Sequence, residues 1–189
     1  MLLIMGLGNP GPRYEITRHN AGFLVLDNLA EKYGIDLTKR KYSSVYGYGE
    51  INGQQTMVVK PLTYMNHSGK AARSILQALN ILPECLIVIH DDIDLPLGKI
   101  KFKKQGGDGG QLGIRSITEC IGTDAYNRVR VGVGRSERKD DIVDYVLSPF
   151  EEDERDTLNE VIEQALRMVE MTLVELNKRT NLTEEQKGC

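Results

Sequence analysis

His19 stands in the segment Thr17-Arg18-His19-Asn20, shortly after the glycine-rich stretch Gly6-Leu7-Gly8-Asn9-Pro10-Gly11. Imidazole, with an ordinary pKa of about 6.5, takes up and releases protons near neutrality, which suits it to general-base work. A lone histidine is by itself an ordinary surface or core residue. What raises His19 above that is the set of polar groups that other segments offer. Asn9 follows a first apolar run, Tyr64 and Asn66 follow a second, and Asp91 follows the run Cys85-Leu86-Ile87-Val88-Ile89. In an open α/β sheet the carboxyl ends of the strands line the functional crevice. Four segments can then bring a base, its carboxylate partner and two amides into one cleft.

Two other chemistries compete for the same residues. Gly6-x-Gly8-x-x-Gly11 after an apolar run also fits a dinucleotide fingerprint. That chemistry needs a helix opening at the glycines to face a pyrophosphate, and an acid ending the next strand. Pro10-Gly11-Pro12 imposes a non-helical turn instead, and the acid at the right distance, Glu31, falls inside the helical pattern. A tight turn holding Asn9 beside a strand end is the better reading. Asp91, Asp92 and Asp94 are the right residue type for a divalent cation, but Asp92 points away from Asp91 in extended chain. No second His/Glu cluster completes a shell, so no metal site is assigned.

The elements that must position these groups follow from periodicity. Leu2–Leu7 reads as a buried strand, and Thr17–Tyr33 as a helix stopped by Gly34. Val45–Ile51 and Gln54–Val59 flank Asn52-Gly53, a strong hairpin signal. A second helix runs through Ala72, Ile75, Leu76 and Leu79, and Cys85–Ile89 reads as a further buried strand. Lys99–Lys103 and Arg128–Val133 alternate charged and apolar residues, as strands with one buried face do. Between them lie a glycine-rich loop, Gly106–Gly113, and a short helix through Ile114, Ile117 and Ile121. Ser148-Pro149-Phe150-Glu151 has capping-box spacing ahead of a long amphipathic helix. From Thr180 the chain is polar and is read as a frayed tail. Alternating strands and helices define an α/β fold, a single domain over 1–189 with a mixed central β-sheet surrounded by helices.

Lys99, Lys101 and Lys103 share one side of their strand, as do Arg128 and Arg130 of theirs. The two strands are either solvated faces or, if they pair, a basic ridge beside the glycine-rich loop that suits phosphate. A formal net charge of −3 excludes a uniformly basic nucleic-acid binder but not a local basic face. Three cysteines, Cys85, Cys120 and Cys189, form no C-x-x-C pair, which suits a reducing cytosol. The N-terminus lacks the basic residues that open a signal peptide, and no apolar stretch is long enough for a membrane span. A soluble, cytoplasmic protein is expected.

Taken together the motifs resemble those of the bacterial peptidyl-tRNA hydrolases. The matching stretches are G-L-G-N-P-G-P-R-Y-E-I-T-R-H-N at 6–20, K-P-L-T-Y-M-N-H-S-G at 60–69 and H-D-D-I-D-L-P-L-G at 90–98. R-V-R-V-G-V-G at 128–134 and D-Y-V-L-S-P-F at 144–150 follow in the same order, so the likeness runs from Leu2 to about Leu176. The resemblance implies a monomer that hydrolyses the ester between a peptide and tRNA, without metal or organic cofactor. It implies His19 as general base, Asp91 as its partner, and Asn9 as the group that tells a blocked amine from a free one. Asn66 would bind the peptide main chain, Tyr14 and Tyr64 would line the site, and Lys103 with Arg130 would clamp a tRNA phosphate.

One stretch departs from the family. Where it reads G-G-H-N-G, this chain has Gly109-Gly110-Gln111-Leu112-Gly113. The substrate-binding amide expected at 112 is absent, because the leucine side chain neither donates nor accepts. Either the loop shifts so that Gln111 binds substrate instead, or activity falls. Asp108 adds an unusual acid beside the phosphate path. The alternative function is therefore a non-catalytic or weakly active RNA-binding relative of the same fold.

Overall fold

In the computed structural model, which describes residues 1–136 and 141–185, β1 (Leu2–Gly6) is buried at every position. Such a strand has both faces covered, and its side chains divide by the pleat. Leu2 and Ile4 join one apolar cluster, while Leu3 and Met5 join the other. Around β1 lies one seven-stranded sheet in the order β2-β3-β4-β1-β5-β7-β6, built from β2 (Lys39–Lys41), β3 (Ser44–Ile51), β4 (Gln54–Pro61), β5 (Leu86–Asp92), β6 (Ile100–Lys103) and β7 (Asn127–Gly132). The four central strands are parallel, and antiparallel pairs close both edges. The fold is therefore α/β with a mixed sheet, as the alternation predicts.

Helices α1 (Ala21–Lys32) and α5 (Arg155–Glu185) cover one face through Val25, Leu29, Val161 and Val169. Helices α2 (Ser68–Leu79) and α3 (Leu112–Ile121) cover the other through Ala72, Ile75, Ile114 and Ile117. A short α4 (Ile142–Val146) precedes α5. Among the described residues no helix is long and apolar enough to cross a membrane. From β1 the chain goes to the β2 edge, returns inward through β3 to β4 beside β1, then crosses to β5 on the other side, so the carboxyl ends of β1 and β5 straddle a switch point where open sheets form crevices.

Several boundaries differ from the periodicity reading. β5 is not Cys85–Ile89 but extends through His90-Asp91-Asp92, because β7 pairs with those residues whatever their polarity. α1 begins at Ala21 after a 3-10 turn at Arg18–Asn20, not at Thr17, whose neighbour Pro149 bridges to it. α3 starts at Leu112, inside the stretch Gly106–Gly113 that its glycines mark as loop. The capping box belongs to Glu151 and Glu154, since the Ser148 hydroxyl instead donates to the Tyr145 carbonyl that closes α4. The α5 backbone continues in helix to Glu185, beyond the polar onset at Thr180. Asn52-Gly53 does turn the hairpin, with φ of 50° and 77°.

Candidate active site

The glycines at 6, 8 and 22 let α1 lie directly on β1. A Cβ on Gly22 would sit 2.3 Å from the Ile89 carbonyl oxygen, and one on Gly8 would meet the Phe23 ring at 2.6 Å. This close approach brings the turn that holds His19 against the ends of β1 and β5. Arg18 fixes the turn from behind. It is buried, makes two bonds to the Glu154 carboxylate at 3.0 and 2.6 Å, and lies over the rings of Tyr145 and Phe150. The glycine pattern thus serves helix–strand packing, and Gly11 opens only the three-residue 3-10 turn Pro12–Tyr14, not an α-helix that could face a pyrophosphate.

His19 Nδ1 lies 2.8 Å from Asp91 Oδ2. The carboxylate is almost fully buried and the imidazole is slightly exposed to a cleft of about 300 Å³. With Nδ1 donating to the carboxylate, Nε2 is the ring nitrogen left for substrate chemistry. Burial alone would depress the His19 pKa, but the charge and hydrogen bond of Asp91 outweigh it, and the net shift is upward. The neighbouring His90 points to the other face of β5, where burial drives its pKa down and its Nδ1 donates to the Asp91 carbonyl. It has no place in the cleft.

Asn9 is held by three bonds. Its backbone N–H and C=O are met by the Asn20 amide at 2.8 and 3.0 Å, and its Oδ1 accepts the Met65 N–H at 2.8 Å. Its Nδ2 donors remain for the cleft, which it lines together with Tyr64 and Asn66. Tyr64 is exposed and sits in the extended residue before the 3-10 turn Met65–His67. Tyr14 is not brought to this cleft. It ends a separate 3-10 turn, where its carbonyl accepts both the Thr17 N–H and hydroxyl.

Gln111 caps α3, its Oε1 accepting the Ile114 N–H at 2.9 Å while its Nε2 donates to Asp91 Oδ1 at 2.8 Å. Leu112, half exposed, forms part of the cleft wall. Ile142, Val143, Val146 and Leu147 complete that wall from α4. The sequence reading missed this helix, because five residues are too few for periodicity to announce it. Asp92 joins the cleft to the charged strands, since its carboxylate accepts from Arg130 Nε at 2.6 Å and from the Asp94 N–H at 2.9 Å. Its carboxylate is thus directed to Arg130, while that of Asp91 is directed to His19.

β6 and β7 pair, with Lys101 opposite Arg130 and Lys103 opposite Arg128. Lys101, Lys103 and Arg130 form a basic ridge outside the cleft, beside the glycine-rich loop. Arg128 is not part of it. It is fully buried, and its guanidinium donates to the carbonyls of Gly107 and Asp124.

The family model of peptidyl-tRNA hydrolase matches residues 3–188. The peptidyl-tRNA hydrolase of Bacillus subtilis is 43% identical over 173 residues, covering 92% of each chain. That of an Exiguobacterium species is 46% identical over 166 residues, covering 88% of this chain and 90% of the relative. Among solved structures, the peptidyl-tRNA hydrolase of Acinetobacter baumannii superposes with a TM-score of 0.88 at 36% identity, covering 95% of this chain and 91% of that one. A crystallised complex of peptidyl-tRNA hydrolase with N-propanol gives 0.86 at 38% identity, with 91% and 88% covered. With the model match spanning nearly all its residues and relatives this similar over nearly their whole lengths, the chain belongs to the peptidyl-tRNA hydrolase family.

Proposed function

We propose that this protein hydrolyses the ester bond between a peptide, or an N-blocked amino acid, and the 3′ ribose of tRNA, with His19 as general base. The observation that carries the reading is the 2.8 Å bond from His19 Nδ1 to the buried Asp91 carboxylate at the wall of the cleft. Asp91 fixes the tautomer, and Nε2 takes a proton from a water as that water attacks the ester carbonyl. The resulting oxyanion needs donors, and the Nδ2 group of Asn9 is one that the protein leaves free. Collapse breaks the ester bond to the ribose oxygen, which receives the proton back from Nε2. The products are a free peptide acid and the tRNA 3′ hydroxyl.

The same donor accounts for selectivity. A blocked amine carries an acyl carbonyl that accepts from Asn9, whereas a free ammonium presents only donors to a donor. Asn66 is the candidate for the peptide main chain and Tyr64 for a flanking wall. Lys103 and Arg130 are the candidates for a tRNA phosphate, which cations grip without reading sequence. The protein is proposed to act as a cytoplasmic monomer, with tRNA as its macromolecular partner.

The test is hydrolysis of N-acetyl-aminoacyl-tRNA by the purified protein, with unblocked aminoacyl-tRNA as control. Cleavage of the blocked substrate alone is expected. Leu112 on the cleft wall favours the second reading, an RNA-binding relative that does not cleave, and tRNA binding without hydrolysis of either substrate would decide for it.

A further inference from the structure

Asp91 is buried with two carboxylate oxygens to satisfy, and only one of them faces His19. The other, Oδ1, accepts from Gln111 Nε2 at 2.8 Å. Gln111 is itself buried, and its Oε1 accepts the Ile114 N–H at 2.9 Å, an otherwise unpaired donor in the first turn of α3. These two bonds fix which end of the amide points where. Turned over, its NH₂ would face the Ile114 N–H and its oxygen would face the carboxylate, two repulsive contacts in place of two bonds.

The loop that delivers Gln111 is braced at both ends. Gly109 and Gly110, with φ of 60° and 83°, reverse the chain in a conformation that glycine adopts without strain. Asp108 secures the reversal. Its Oδ1 accepts the Gly110 N–H at 2.7 Å and its carbonyl accepts the Gln111 N–H at 3.1 Å. Arg115 reaches back from α3 to Asp108 Oδ2 at 3.0 Å. The acid that looked out of place beside a phosphate path is thus a brace for the loop. Gln111 follows in extended backbone and turns inward to the dyad, while Leu112 takes the cleft wall.

We propose that Gln111 is a positioning residue that holds the Asp91 carboxylate toward His19, so that the working unit is a Gln111–Asp91–His19 chain and not a dyad with a substrate-binding amide beside it. This rests on the cleft being the site of hydrolysis. The second N–H of the amide lies toward Met65 Sδ at 3.2 Å, so both donors are directed at protein atoms and not at a ligand. Being unionisable, the amide also donates to Asp91 at every pH at which the protein is folded.

Three variants separate positioning from capping and from substrate binding. Gln111→Ser keeps a good helix cap but is too short to reach Asp91. It is expected to lower kcat on N-acetyl-aminoacyl-tRNA by roughly 10- to 100-fold, with KM within about twofold of the parent and a modest fall in Tm from the unsatisfied Asp91 oxygen. Gln111→Ala loses both bonds and should match the serine variant in kcat while also melting lower. Gln111→Glu is isosteric and still caps α3, but donates to Asp91 only while the two carboxyls share a proton. Its rate should approach that of the parent at low pH and fall on the alkaline side, giving a descending limb the parent lacks. The added acid should also raise the His19 titration midpoint seen by NMR. That midpoint needs no substrate, so it tests the chain of contacts even if the parent hydrolyses nothing. A rise in KM at unchanged kcat would make Gln111 a substrate ligand and overturn the proposal. A serine variant with parental kcat, or a glutamate variant with the parental pH profile and His19 midpoint, would reduce it to a helix cap.

Discussion

The His19–Asp91 pair places opposite demands on folding and on activity as pH changes. Asp91 raises the His19 pKa in the folded protein, so the pair stabilises the fold fully below the unfolded value of about 6.5. That contribution is lost as pH rises through the raised folded value. Activity runs the other way, because only neutral imidazole can take a proton from water. In Asp91→Asn the burial that depresses His19 is no longer opposed by a charge. The NMR midpoint should then fall below the ordinary histidine value, and the acid limb of kcat should move down with it. The plateau rate should drop less than in His19→Ala, because the base itself remains. A midpoint that does not move would contradict the pairing. At this scale the sequence shows which residue types can do the chemistry, since His19, Asp91, Asn9 and Asn66 all lie in recognisable motifs. Beyond the His19–Asp91 pairing that the resemblance implies, it does not show what these residues bond to. The bond from Gln111 to Asp91 spans 20 positions, and the burial of Arg128 depends on where Gly107 and Asp124 fold back.

Between elements, the site depends on how closely α1 lies on β1. Gly22→Ala puts a methyl group 2.3 Å from the Ile89 carbonyl oxygen and 2.6 Å from the Leu7 backbone, so helix and strand must separate. The expected destabilisation is about 1–3 kcal/mol, read as a lower denaturant midpoint at unchanged slope. A parallel loss of kcat is expected, because the His19 turn moves with the helix. A variant as stable and active as the parent would show that this contact does not set the site. The elements legible in advance were those with strong local signals. The Leu2–Leu7 run, the Asn52-Gly53 turn and the long apolar stripe of α5 all emerge as read. The hidden ones were defined by tertiary pairing. α4 spans only Ile142–Val146, too short for periodicity to announce, yet it supplies part of the cleft wall. The capping box ahead of α5 starts at Glu151, which heads the 3-10 turn Glu152–Glu154 leading into that helix, because Ser148 is already bound to the end of α4.

For the whole molecule, the proposed function assigns the ester to the cleft at the carboxyl ends of β1 and β5 and the RNA to a basic ridge at the β6 edge. Overall charge could not reveal this, since the protein is net acidic and the ridge exists only once β6 pairs with β7. Replacing Lys103 and Arg130 with alanine should weaken tRNA binding and reduce the log–log salt slope by about 1–2 units. Cleavage of a minimal N-blocked aminoacyl ester should be nearly unaffected. Equal losses on both substrates would place the two residues at the chemistry instead. The central claim is that His19 is the base, and the most direct test is the single-turnover rate of His19→Ala on N-acetyl-aminoacyl-tRNA at saturating enzyme, with tRNA affinity measured alongside. A fall of about 10²–10⁴-fold at unchanged affinity is the predicted result, and retention of most of the parental rate would contradict it.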